Sequence, residues 1–131
     1  MKEPRWVPRI VIDAVHLDQL REHGGLGGIR DENALEAALA RPRHKWNYDD
    51  GVDLATLAAA YAFGLATAHA FNDGNKRIAF LAAVIFLDLN GKDLAADELD
   101  VVQVMTALAA GKLGESQLAS WLRERLIRLA K

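Results

Sequence analysis

Nine consecutive residues, His69-Ala70-Phe71-Asn72-Asp73-Gly74-Asn75-Lys76-Arg77, bring together a base, a carboxylate, a sharp turn and two cations. Asn72, Asp73, Gly74 and Asn75 break helical geometry, because Asn, Asp and Gly tolerate positive φ and bond back to their own backbone. A helix that restarts near Asn75 exposes amide N–H groups without intrahelical acceptors at its positive end, which is an anion site. Phosphate suits it: Arg77 can fork two oxygens and Lys76 supplies a point charge. Asp73 beside it suits Mg²⁺ carried in with a nucleotide, since that ion takes one or two carboxylates plus phosphate oxygens. His69 can accept a proton from an attacking hydroxyl near neutral pH. The set points to phosphoryl or nucleotidyl transfer, which needs positioning and charge neutralisation more than covalent chemistry. Taken alone, the same letters also describe an ordinary interhelical loop with a core histidine and a solvated Lys-Arg pair, and both readings stay open on chemistry.

The elements that must hold this loop are apolar. Residues 54–71 carry no charge and residues 78–87 are almost wholly apolar, so each reads as a buried helix flanking the turn. Asp53 caps the first of these, where Leu54, Leu57, Ala58, Tyr61, Leu65 and Ala68 recur at helical spacing and the alanines allow close approach. The second runs over about 75–89, with Gly91 as its stop.

Upstream, Pro8 suits a first helical position, with Val11, Ile12, Val15 and Leu20 on one side and Gly24 as the stop. Gly24-Gly25-Leu26-Gly27-Gly28 lacks the spacing of a phosphate loop and reads as a connector. Asp31 caps a short helix through Leu35, Ala38 and Leu39 that Pro42 closes. A loop over 43–51 follows, carrying Arg43, His44, Lys45, Trp46 and Tyr48. Downstream, Asp97 opens a helix through Leu99, Val102, Met105 and Leu108 to Gly111. A last helix starts near Ser116, with Leu118, Trp121, Leu122, Leu126 and Leu129 inward and Arg123, Arg125 and Arg128 on a solvated face. The sum is an all-α bundle of about six helices forming one domain over residues 1–131.

With 51% hydrophobic and 26% charged residues the chain has material for a true core. A net charge of -2 gives no broad footprint for nucleic acid or membrane. Residues 54–71 are too rich in alanine, threonine and glycine for a membrane span. The absence of cysteine excludes thiolate catalysis and fits a reducing compartment, and no secretory signal is read at the N-terminus, so a cytoplasmic location is expected. His16 and His23 are too far apart for a helical ligand pair, and no structural metal is expected.

HAFNDGNKR resembles the signature of the Fic/Doc family, His-x-Phe-x-Asp/Glu-Gly/Ala-Asn-x-Arg. The resemblance extends to Gly28-Ile29-Arg30-Asp31, to Leu35-Glu36-Ala37-Ala38-Leu39-Ala40-Arg41-Pro42, and to Phe86-Leu87 with Asn90-Gly91. Lys76 points to the Doc (death-on-curing) branch, because the nucleotidyl-transferring branch usually has Gly there. The resemblance implies a compact all-α bundle with the motif between its two central helices. It implies His69 as general base, Asp73 as metal ligand, and Gly74, Asn75, Lys76 and Arg77 as the nucleotide phosphate site. For a Doc-like chain it implies a toxin that transfers the γ-phosphoryl of ATP, with Mg²⁺, to a hydroxyl of a translation elongation factor. Nucleotidyl transfer of the Fic type and a non-catalytic interaction domain are the alternatives. It also implies a target-aligning flap, placed in the 43–51 loop, and an external antitoxin whose disordered tail folds on binding. Ser120-Trp121-Leu122-Arg123-Glu124-Arg125 departs at its last residue from the internal inhibitory pattern of self-regulated relatives, which favours the external partner.

Overall fold

The computed structural model describes residues 1–130, in six helices and one small sheet. The order is α1 (Arg9–His23), α2 (Glu32–Tyr48), α3 (Leu54–Ala68), α4 (Asn75–Leu89), β1 (Lys92–Leu94), α5 (Glu98–Ala109), α6 (Glu115–Arg125) and β2 (Leu126–Arg128). Helix α3 is the axis, buried along nearly its whole length and packed chiefly against α4, α2 and α6. Its composition explains this. Ala55, Ala58, Ala59, Ala60, Ala62 and Ala66 leave no side chain to hold neighbours off, so three helices close on it at once. Gly64 extends the effect, since a Cβ there would lie 3.3 Å from the Ala38 carbonyl oxygen of α2. Larger side chains fill the gaps between helices: Tyr61, Leu57 and Leu65 from α3, Ile78, Phe86 and Leu87 from α4, and Leu118 and Leu122 from α6. No helix among the described residues is long and apolar enough to cross a membrane.

Helix starts follow the sequence closely. Asp31 accepts from Ala34 N–H at 3.0 Å and Asp53 from Thr56 N–H at 2.9 Å, each satisfying an orphan donor of a first turn. Pro8 stands one position earlier than expected, at the N-cap of α1. Asp97 occupies the N-cap of α5 without a side-chain capping bond.

Three expectations are corrected. Helix α2 does not close at Pro42 but continues to Tyr48, so the expected loop over 43–51 is mostly helix. Proline in a helix interior costs roughly 3 kcal/mol, and here burial and pairing offset it. Pro42 is fully buried, Trp46 packs on the core, Arg43 lies over the Trp6 ring, and Arg41 and Lys45 both pair with Glu115 of α6. The carbonyl that Pro42 cannot bond, that of Ala38, is the one approached by Gly64.

The last helix ends at Arg125, and Leu126–Arg128 turns into a strand antiparallel to β1, in register Lys92↔Arg128, Asp93↔Ile127 and Leu94↔Leu126. The arginines there are not a uniform solvated face. Arg123 binds the Asp53 carboxylate through Nε at 2.7 Å, and Arg125 stacks on Trp121 with its guanidinium carbon 4.3 Å from the ring centroid.

Arg123 holds the Asp53 carboxyl well below the usual carboxylate range, helped by the bonds from Thr56. A depressed folded-state pKa contributes stability above the unfolded value, near 4, and that contribution fades as pH falls through the folded value. Asp53→Asn keeps a capping oxygen but removes the charge. At pH 7 the variant should melt below the wild type by a margin of no more than about 1 kcal/mol, since the pair is half exposed. The margin should shrink steadily below pH 4 in thermal melts, and a pH-independent margin would show the ion pair to be idle.

Candidate active site

Helix α3 ends where its buried face runs out. His69, the C-cap, takes left-handed backbone geometry (φ 50, ψ 42) and is the non-glycine residue with positive φ among the described residues. Histidine tolerates this region better than most, yet it carries a cost that surrounding structure must hold in place. The turn leaves the His69 side chain exposed and sends Ala70 and Phe71 into the core.

The segment 70–75 is then fastened from three sides. Asn75, the first residue of α4, donates from Nδ2 to the Phe71 carbonyl at 3.0 Å and accepts the Phe71 N–H on Oδ1 at 3.1 Å, so one amide closes the loop on itself. The α1–α2 connection lies alongside as a short extended strand, with an isolated antiparallel bridge between Ile29 and Phe71. Arg30 and Asp31 donate N–H to the Ala70 carbonyl at 2.7 and 3.0 Å, Asn72 donates N–H to the Gly28 carbonyl at 3.1 Å, and Asn72 Nδ2 reaches the Gly27 carbonyl at 3.0 Å. From α1, His16 stacks on Phe71 with ring centroids 3.9 Å apart and donates from Nε2 to the Asp73 carbonyl at 2.8 Å.

The groups facing outward line one open depression of about 280 Å³, to which His69, Asp73, Gly74, Asn75, Lys76 and Arg77 all contribute. All six residues singled out in the sequence therefore meet there. Gly74, at φ 79, is the N-cap of α4 and gives it no side-chain cap, so the first amides of a fifteen-residue helix stay available. Arg77 is half buried, and its Nε is buried with no hydrogen-bond partner. An orphaned buried donor is costly and rare in native proteins, and an anion in the depression is a partner of the right charge. Lys76 projects from the exposed side of the same turn.

Asp73 is the carboxylate of the depression. Its Oδ1 accepts the Gly74 N–H at 3.0 Å and its Oδ2 accepts the Leu26 N–H at 3.3 Å, which leaves lone pairs on both oxygens. No group of three or more His, Cys, Asp or Glu residues that could hold a metal occurs among the described residues. A single carboxylate with free lone pairs beside an uncapped helix start fits Mg²⁺ that arrives with phosphate oxygens.

Sequence reasoning missed two contributors. The glycine segment 24–28, read as a mere connector, abuts the carboxylate: a Cβ on Gly25 would lie 2.9 Å from Asp73 Oδ2. The signal was the glycine density itself, which fits close backbone approach as well as a turn. His16 was weighed only as a metal ligand. By contrast, Arg43, His44, Lys45 and Tyr48 sit on α2 and contribute nothing to the depression.

With this geometry in hand, sequence comparison is decisive: residues 6–87 match the profile described as the Fic/DOC family. The chain belongs to the Fic/Doc family. It is 33% identical over 110 residues to the "Protein kinase doc" of Escherichia phage P1, an alignment covering 84% of this chain and 86% of that one. It is 47% identical over 75 residues to the "Toxin Doc" of Mycolicibacterium smegmatis, covering 56% of this chain and 58% of that one. The helical architecture, with its one small two-stranded sheet among the described residues, agrees with membership.

Asn75→Ala removes both partners of the Phe71 peptide groups in a part-buried place, at about 1–3 kcal/mol for each group left unpaired. The variant should lose several degrees of melting temperature, and Asn75→Asp, which keeps only the acceptor, should fall between the two. Equal melting of all three proteins would show that the clamp does not hold the loop.

Proposed function

We propose that this chain is a Doc-type toxin and a transferase, moving the γ-phosphoryl of ATP to a hydroxyl group of a protein, with a translation elongation factor as the target class. The observation that carries this reading is the buried, unpartnered Nε of Arg77 beside the uncapped start of α4, with His69 and Asp73 on the rim of the same depression. In this reading Gly74 and Asn75 present backbone amides to phosphate oxygens, and Lys76 and Arg77 neutralise their charge. Asp73 is the residue that would hold Mg²⁺, an ion that shields phosphate charge and fixes phosphate orientation when bound. His69 accepts the proton of the target hydroxyl as its oxygen bonds to the γ-phosphorus, the bond from that phosphorus to the bridging oxygen breaks, and ADP leaves.

Lys76 favours transfer of the terminal phosphoryl over transfer of the nucleotide. An α-phosphate seated against the start of α4 needs open space there, which glycine leaves and a lysine stem narrows, whereas an ammonium group suits terminal phosphates. The likeness to a protein named a protein kinase points the same way. The check is a double-label experiment in a bacterial lysate with Mg²⁺. Label should reach an acceptor from γ-labelled ATP and not from α-labelled ATP, and His69→Ala should slow it by roughly 10²–10⁴-fold. Label arriving from the α position would establish nucleotidyl transfer instead, and none from either would leave a binding domain.

The likeness to a protein named a toxin supports an antitoxin as partner, here one whose disordered tail folds as an amphipathic helix on binding. A groove of about 430 Å³ between α1, α4 and α5 suits it, lined by Phe80, Leu81, Val101, Val102 and Met105, with Lys76, Arg77 and Glu98 as its charged groups. A peptide from an adjacently encoded antitoxin should raise the melting temperature by several degrees at a hundredfold excess over its Kd, corresponding to about 2.7 kcal/mol. Val102→Asp, at an exposed position, should abolish that rise. A rise unchanged by Val102→Asp would place the partner elsewhere, and no rise at all would remove it.

A further inference from the structure

Among the described residues His16 is the polar side chain found in the buried interior, at 5% exposure. A polar group so placed is kept for what it bonds, and this one bonds the backbone of the motif loop rather than any side chain. The acceptor is the Asp73 carbonyl, 2.8 Å from Nε2. A carbonyl only accepts, so Nε2 carries the proton.

We infer that His16 is a positioning residue for the Asp73–Gly74 peptide, and through it for the anion-binding N–H of Gly74 and the carboxylate of Asp73. The geometry gives the reason. In a trans peptide, as this one is, the carbonyl and the following N–H point in opposite directions. Drawing the Asp73 carbonyl inward to α1 turns the Gly74 N–H outward into the depression, where it now meets Asp73 Oδ1 at 3.0 Å. Asp73 is thereby oriented from two sides, by this N–H and by that of Leu26.

The restraint matters because glycine offers little resistance of its own. Gly74 sits at φ 79, a region it shares freely with its mirror, so the peptide before it can rotate at small cost. Rotation would aim the carbonyl oxygen, a negative end, at the place where an anion binds. The fit is also close, since a Cβ on Gly74 would lie 3.4 Å from His16 Nε2, and stacking on Phe71 fixes the imidazole plane.

The proposal rests on the reading of the depression as a phosphate site, and its test uses no transfer assay. Wild-type protein, His16→Phe and His16→Gln are labelled with ¹⁵N, the Gly74 amide signal is assigned, and each protein is titrated with inorganic phosphate while its melting temperature is recorded. His16→Phe keeps an aromatic ring against Phe71 and removes the donor; His16→Gln keeps a donor. The wild-type Gly74 signal should move with phosphate. His16→Phe should displace the starting signal and need roughly ten- to a hundredfold more phosphate, the loss expected when a buried acceptor loses its partner. His16→Gln should restore most of the response. A wild-type signal indifferent to phosphate, a His16→Phe response equal to wild type, or a folded His16→Gln no better than His16→Phe would each overturn the proposal. If His16→Phe does not fold, the His16→Gln response decides alone. A wild type that passes this test yet transfers no label would overturn the phosphotransferase reading and leave the role of His16 standing.

Discussion

Between α3 and α4 the backbone leaves helical geometry at the centre of the molecule, and every amide and carbonyl it exposes there must find a partner. That requirement organises the surroundings. The Ala70 carbonyl is met by Arg30 and Asp31, the Phe71 peptide groups by Asn75, the Asn72 amide by Gly28, and the Asp73 carbonyl by His16. These inward-facing groups are occupied by scaffold, whereas the start of α4 has no side-chain cap and the buried Nε of Arg77 has no protein partner. The contrast between a bonded inner side and an uncapped helix start is the feature on which the proposed phosphate site rests.

The asymmetry needs a rigid support, which the alanine-rich α3 supplies. Small side chains let α2, α4 and α6 approach together, so the two helices that frame the motif are held by packing on several sides. A left-handed histidine at the end of such a helix can persist because its neighbours over-determine it. In a looser bundle the same residue would relax, and the side chain would no longer be fixed relative to Gly74 and Arg77.

Much of this was legible in the sequence, for a physical reason: the motif is local, so residue type and spacing within 69–77 encode both the turn and the charges. The start of α3 and the bounds of α4 followed from capping by Asp53 and from uninterrupted apolar composition, whereas α3 ends at Ala68 and not at Phe71, because His69 turns left-handed. What escaped was non-local. Pro42 reads as a stop because its cost is intrinsic to the residue, while the compensating contacts come from Trp6, Glu115 and Gly64, far away in sequence. The strand at Leu126–Arg128 has a helical pattern of leucines and arginines and is set by pairing with β1. His16 and the glycines of 24–28 became meaningful only when the fold laid them on the motif.

The distance in sequence between α3 and α6 carries a consequence for how the protein is made. Helix α3 is complete at Ala68, but the face that α6 covers stays bare until Arg125 has been added. At ribosomal speeds of roughly 5–20 residues per second that interval lasts some seconds, far longer than the sub-millisecond times in which helices form and chains collapse. During it the nascent chain holds an apolar helix with one side open, a state in which a chaperone or another apolar segment can occupy the place meant for Leu118 and Leu122.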